Sequence, residues 1–420
     1  MKKISVLTAV ALMFGLNNVY ASGYQLNEWS ATGLGRSFAG MGVMGDDYSA
    51  MGFNPAGMTL VKRSGFQVGL DMTQIYSKAK GKDGTDKMNY FVPLPSALGQ
   101  YNVNDKLFLG FGVYVPYGLS TKYKYDSHVA QAISGVRKSE LEVIDTNFSA
   151  AYKFTSKLSL GASFIIRYIK GSLTSNVNAN PRTQEPVPYF GYSDYRVKGW
   201  TTTWQLGAMY EFNEDTRIGL AYRFKSTQRP TGKQYIDIHS PYSGTDHDIT
   251  MKYKTFSEPE LPASWILSGY HRFAPQWGTS FAVKYVQWHR FYTFPARSGN
   301  PSKPVLDVDY KWKDAWTISL GQEYYMNENW TLRAGTAWDQ SPSRSNTYRT
   351  NRIPDSDRIW LSLGASYMTG NHEVDFGYAY LTMVHGKTHN KNPREPQFYD
   401  AQVSYHNHSN MFMLQYQYKF

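Results

Sequence analysis

At 420 residues the chain is too long for an ordinary single soluble core, yet a mean hydropathy of −0.50 and the lack of any apolar run of about 18 residues exclude a helical membrane protein. Cysteine is absent, which rules out a disulfide framework and a thiolate metal site, while 34 Tyr and 11 Trp suit the interface positions where one edge of a ring is apolar and the other wet. The formal charge of +11 is spread along the chain rather than gathered in one patch or helix, which argues against nucleic acid as a partner.

Residues 1–21 read as a secretory signal peptide. Lys2 and Lys3 form a basic start, Ile4 to Leu16 is mostly apolar, and Val19-Tyr20-Ala21 ends on a small residue. Residues 22–62 change character: they are rich in Gly, Ala and Ser and show no sustained alternation. Small and apolar side chains at that density suit packing inside a wall, so this stretch is expected to be an N-terminal hatch, or plug. Within it Asn54-Pro55 marks a turn.

The rest of the chain, 63–420, reads as a series of hairpins. Short turns recur at Asn102-Val103-Asn104-Asp105, Thr155-Ser156-Lys157, Asn213-Glu214-Asp215, Ala274-Pro275-Gln276, Asn327-Glu328-Asn329 and Thr369-Gly370-Asn371. Long polar excursions lie between them, around residues 77–86, 119–139, 172–195, 228–247, 292–305, 339–356 and 386–400. Alternating short and long connections are the asymmetry of an outer-membrane β-barrel, and a soluble β-sandwich does not share it. The expected strands are 64–76, 87–101, 107–118, 140–154, 158–171, 196–212 and 216–227, followed by 248–273, 277–291, 307–326, 330–338, 357–367, 372–385 and 400–420. That makes an all-β fold, a 14-stranded antiparallel transmembrane barrel, with the even count of a single-chain bacterial barrel.

The faces follow from the period of two. Leu158, Leu160, Ala162, Phe164, Ile166 and Tyr168 are expected to face lipid, with Ser159, Gly161, Ser163, Ile165 and Arg167 facing the lumen. Arg217, Arg223, Lys284 and Arg333 point inward by the same count, beside the small residues Gly161, Gly219 and Gly335 that leave room for a hatch. The last strand places Phe412, Leu414, Tyr416, Tyr418 and Phe420 on the lipid face. Its aromatic end resembles the signal that outer-membrane barrels show to the barrel assembly machinery, one expected partner.

A family signature runs through these elements. Gly23-Tyr24-Gln25-Leu26-Asn27-Glu28 with Gly33-Leu34-Gly35-Arg36, then Asn54-Pro55-Ala56, Tyr117-Gly118-Leu119, Asp339-Gln340-Ser341-Pro342 and Ile353-Pro354-Asp355 resemble the FadL-type long-chain fatty acid transporters. The resemblance covers the whole mature chain apart from the outer loops. It implies passive uptake of a long-chain fatty acid or other hydrophobic small molecule, caught at the outer loops and passed to a lumenal pocket. The molecule then leaves sideways at a kinked third strand. No cofactor, metal, ATP site or ion-coupling site belongs to that mechanism.

On this reading the binding and gating residues are Tyr24, Asn54, Pro55, Ala56, Tyr117, Gly118 and Leu119, with Arg167, Arg223 and Arg333 as lumenal cations. Asn54-Pro55-Ala56 is expected to pack against the kinked strand. Pro116 and Gly118 either break the wall or merely end a strand, and Arg223 and Arg333 either hold a carboxylate or pair with an inward acid such as Asp375 or Glu373. The basic pair that the family places near its substrate does not align onto Arg or Lys here. Ile165, Arg167 and Lys170 lie on the nearest strand, and Lys311 lies near the second position.

Three other readings differ in function. Hydrocarbon or monoaromatic uptake needs no cation in the pocket, and an open porin conflicts with an apolar hatch. A surface adhesin or receptor would use the outer loops, whose basic, Tyr-rich stretches at Tyr123-Lys124-Tyr125 and Arg344 to Arg352 also suit outer-membrane lipid and lipopolysaccharide. No enzyme is expected: no catalytic G-x-S-x-G motif stands out, and His406-Asn407-His408, which invites a metal reading, reads rather as solvated loop histidines. The implied location is the outer membrane of a Gram-negative bacterium.

Overall fold

A computed structural model describes residues 23–81, 84–123, 136–179, 186–239, 249–291, 293–298, 304–384, 386–389 and 402–420. The expected signal peptide, Lys124-Tyr125 and most of 386–400 lie outside the described residues. Fourteen antiparallel strands form the wall. They are β1 (Gly65–Lys80), β2 (Thr85–Asn102), β3 (Leu107–Lys122), β4 (Val136–Lys153), β5 (Leu158–Ala179), β6 (Pro186–Glu211) and β7 (Thr216–Arg223). The second half holds β8 (Ser264–Ala274), β9 (Trp277–Val286), β10 (Ala315–Tyr325), β11 (Trp330–Asp339), β12 (Arg358–Thr369), β13 (His372–Met383) and β14 (Gln402–Lys419). Each strand pairs with the next, and β14 closes on β1 from Gly65↔Lys419 to Lys80↔Ser404.

The alternation expected of β14 holds residue by residue. Met411, Met413, Gln415 and Gln417 are buried inward, whereas Phe412 and Leu414 are exposed on the other face. Two expected boundaries differ. Residues 248–273 are not one strand: Ile249–Ser257 pairs with Thr231–His239 in an outer hairpin that extends β6, and β8 begins only at Ser264. Pro259 and Pro262 lie between, and neither has an N–H to give a ladder. Residues 307–326 divide likewise, with Pro304–Asp309 in a second outer hairpin and β10 starting at Ala315. Conversely, much of the excursion at 172–195 is strand, because β5 and β6 stay paired well past the membrane.

Residues 24–62 pack against the inner face of the wall. Their regular pieces are short: α1 (Ala31–Leu34), capped by Ser30 Oγ accepting from the Gly33 amide, α2 (Ala50–Phe53), and a 3₁₀ turn at Pro55–Leu60. Inward glycines admit them. A Cβ on Gly161 would lie 2.5 Å from the Ala56 nitrogen, one on Gly207 2.0 Å from Asn54 Oδ1, and one on Gly335 2.2 Å from the Arg36 carbonyl carbon. Asn54-Pro55-Ala56 therefore docks on β5–β7 rather than on the third strand, because the small residues that accept it are there.

Buried charge ties segment to wall. Arg36 and Asp46 from the segment meet Glu323 of β10 and Arg333 of β11 in a four-membered network with contacts of 2.6–3.3 Å.

One seam is incomplete. The β2–β3 ladder runs from Asn102↔Phe108 to Ala97↔Val113 and stops there. Above it β3 shifts register against β4 between Tyr114 and Tyr117 and bonds to the N-terminal segment instead: Leu26 N donates to Pro116 O at 2.8 Å, and Gly118 N to Tyr24 O at 2.9 Å. Sequence explains part of this. The β1–β2 ladder is unbroken through Pro93 and Pro95, so the donors those prolines lack are the ones aimed at β3.

Candidate functional site

Beside this seam, under the outer rim, is an open cleft of about 580 Å³. That space includes volume open to solvent. Its walls are apolar: Leu119 from β3, Leu141 from β4, Ile169 and Leu173 from β5, Val197 from β6, and Phe291, Tyr310 and Ile353 from the outer connections. Tyr24 contributes from the N-terminal segment, its ring 4.8 Å from Trp288, 5.4 Å from Phe291 and 6.0 Å from Tyr117. Among the described residues the hydroxyls of Tyr24 and Tyr117 are buried without a hydrogen-bond partner. Burial holds the Tyr24 hydroxyl well above the usual tyrosine range, so it stays neutral.

Tyr24, Tyr117, Gly118 and Leu119 thus converge at one place. The lumenal arginines do not open onto it. Arg167 lies 5.1 Å beneath the Tyr117 ring, but it is held by Asp145 through Nε at 2.7 Å and Nη2 at 2.8 Å, and by Ser226 at 2.7 Å. Arg223 donates to Gln205 Oε1, the Gly52 carbonyl and the Tyr114 hydroxyl at 2.9–3.0 Å, and reaches Asp145 at 3.4 Å. Arg333 belongs to the Asp46–Glu323 network on the far side. Its link to Asp375 is indirect, through the Ser366 hydroxyl, which accepts from Arg333 and donates to Asp375. Each guanidinium is occupied by protein groups, as buried cations require. Lys170 is turned outward, away from the lumen, with its side chain 62% exposed.

The cation that does border the cleft is Arg352, which is 7% exposed. Its Nη1 donates to Ser139 Oγ at 3.1 Å and its Nη2 to Ser175 Oγ at 2.8 Å. Asn54, Pro55 and Ala56 lie elsewhere, beneath Arg223, with Asn54 Nδ2 donating to the Ala208 carbonyl at 3.0 Å. His408 stacks on Tyr76 with centroids 4.5 Å apart.

A family model described as outer membrane protein transport protein (OMPP1/FadL/TodX) matches residues 12–420. The chain belongs to the OMPP1/FadL/TodX family. Outer membrane protein P1 of Haemophilus influenzae is 33% identical, with 91% of this chain and 90% of the relative covered. The long-chain fatty acid transport protein of Escherichia coli O6:H1 is 30% identical, with 90% of each covered. Among solved structures, a Pseudomonas aeruginosa FadL homologue superposes with a TM-score of 0.84 at 21% identity, covering 95% of this chain and 100% of that one. The Pseudomonas putida toluene transporter TodX gives 0.70 at 20% identity, covering 89% and 94%. The FadL-family chain is therefore an outer-membrane transport barrel, and its relatives are transporters and channels rather than enzymes.

Two features of this family member were missed from sequence. Sequence alone places Arg352 in a basic surface loop, beside Ile353-Pro354-Asp355. Ile169 was legible, since it continues the inward parity of Ile165 and Arg167 on β5.

Proposed function

We propose that the protein admits long-chain fatty acids by capture at the outer loops, residence in the Tyr24–Arg352 cleft and sideways exit where β3 leaves β2. In this reading residues 24–62 are the hatch, and Tyr24–Leu26 is its movable edge, because that edge supplies the pairing that β2 does not give to β3. Tyr117, Gly118 and Leu119 form the strand side of the gate. Asn54-Pro55-Ala56 anchors the hatch, and Arg167, Arg223 and Arg333 hold its surroundings through ion pairs. Arg352 is the side chain offered to a carboxylate, and the apolar wall takes the tail. The observation that carries the proposal is an apolar cleft bordered at once by a buried arginine and by the stretch of β3 that does not pair with β2.

A second reading, uptake of hydrocarbons or monoaromatics, is favoured by the aromatic wall of Tyr24, Phe291 and Tyr310. Binding of purified protein to oleate, methyl oleate and toluene separates the two. The fatty acid reading expects oleate to bind tightest and Arg352→Gln to weaken it about tenfold or more, the scale of a charge-assisted hydrogen bond. Equal binding of oleate and methyl oleate, unchanged by Arg352→Gln, would contradict it.

A further inference from the structure

The outer wall carries a second feature, independent of what the lumen transports. β5 turns Leu160, Phe164, Ile166 and Tyr168 outward, and β6 turns Tyr210, Leu206, Trp204 and Trp200 outward. Each run spans the ~9–11 residues that a tilted strand needs to cross hydrocarbon. It ends in an aromatic pair, Tyr168 and Trp200, with ring centroids 4.8 Å apart. Such rings mark the membrane interface.

The next outward position on each strand is a lysine. Lys170 and Lys198 sit directly opposite one another across the ladder. One step higher, Arg196 faces Lys233, which in turn faces Lys254 across the outer hairpin. Directly opposed residues share a face of the sheet, so all five cations project from the same outward surface. Like charges in that arrangement weaken a ladder. Here two successive rows have it.

The acids nearby are Glu142, 3.8 Å from Lys170, and Asp194, held by Arg196 at 2.5 Å. Among the described residues Lys198, Lys233 and Lys254 have no carboxylate within ion-pair distance, and all three are exposed. Strands are about 4.8 Å apart and alternate residues about 6.6 Å, so the five cations cover a headgroup-sized area.

We infer that this surface binds the phosphates of lipopolysaccharide in the outer leaflet. The ligand must carry clustered anions above apolar chains, because the cations stand immediately above lipid-facing aromatics on the same strands. A soluble polyanion would have no use for the aromatic step beneath. The positive rows of β5, β6 and the hairpin are balanced by phosphate, and the acyl chains lie along Phe164, Trp204 and Leu206.

The test uses the detergent-purified full barrel and lipid A, with binding read by native mass spectrometry. Lipid A carrying both phosphates is expected to bind, with affinity falling as salt rises. The double variants Lys170→Gln/Lys198→Gln and Lys233→Gln/Lys254→Gln are each expected to bind about thirty-fold more weakly, at about fivefold per basic side chain. Heat-modifiable migration on gels confirms that each variant is a folded barrel. Undiminished binding by folded variants, or equal binding of lipid A stripped of phosphate, overturns the assignment. Equal binding of phosphatidylglycerol overturns it as well, since the surface would then be a general one for anionic lipid.

Discussion

Gly207 faces the Asn54 side chain, and the substitution Gly207→Ala tests how tightly residues 54–60 are held. Its new Cβ would stand 2.0 Å from Asn54 Oδ1 and 2.9 Å from Pro55 Cδ. The wall cannot retreat, because Gly207 is paired on one side with Gly161 and on the other with Ala221. The Asn54 amide must leave instead. It then loses the bond from Ala56 N to Oδ1 at 3.1 Å and the bond from Nδ2 to Ala208 O at 3.0 Å. Two such bonds, with buried polar atoms left unmatched, are worth about 2–4 kcal/mol. Hydrogen exchange at the Ala56 and Gly57 amides should therefore quicken about thirty- to several-hundred-fold, while exchange in the middle of β5 stays unchanged. Gly171→Ala is the control, since its Cβ would meet nothing closer than Val197 Cγ2 at 3.4 Å. Unaltered protection at Ala56 in Gly207→Ala would refute the docking argument.

Removing Glu323 leaves Arg36 and Arg333 sharing Asp46 alone, so Glu323→Gln should cost about 3–5 kcal/mol of docking stability. Faster proteolysis of residues 24–62 in a barrel that still migrates as folded would register it, and an unchanged digestion rate would count against the network. Pro93→Val with Pro95→Val restores two N–H donors on the edge of β2 that faces β3. Oleate uptake should fall several-fold as the seam gains pairing, at about 1 kcal/mol for each hydrogen bond made. Unchanged uptake would mean that the seam is not the exit.

Much of this was legible because local period decides it. In β5 and β14 the alternation alone sorted lumen from lipid, and inward Gly161, Gly219 and Gly335 announced that something occupies the interior. What stayed hidden depended on pairing across distance. Asp145 stands opposite Arg167 in the β4–β5 register, and Asp46 reaches Arg333 from the N-terminal segment, so no local pattern foretold that these arginines are taken. Val92-Pro93-Leu94-Pro95 was visible in the sequence, but a proline's missing donor has a direction only once the neighbouring ladder is known. In each outer hairpin one arm reads as loop, because polar composition does not distinguish a solvated strand from a coil, and the other reads as part of the next wall strand, because both are extended.

The central claim is that Tyr24–Leu26 must part from β3 for substrate to pass. Gln25 and Tyr117 form an isolated antiparallel bridge. Bridged residues have Cα atoms about 4.5–5.5 Å apart, within disulfide reach. The chain has no cysteine of its own, so Gln25→Cys with Tyr117→Cys creates a single reversible staple. Oleate uptake should cease in the oxidised form and return on reduction. Equal uptake in the oxidised and reduced forms would contradict the account.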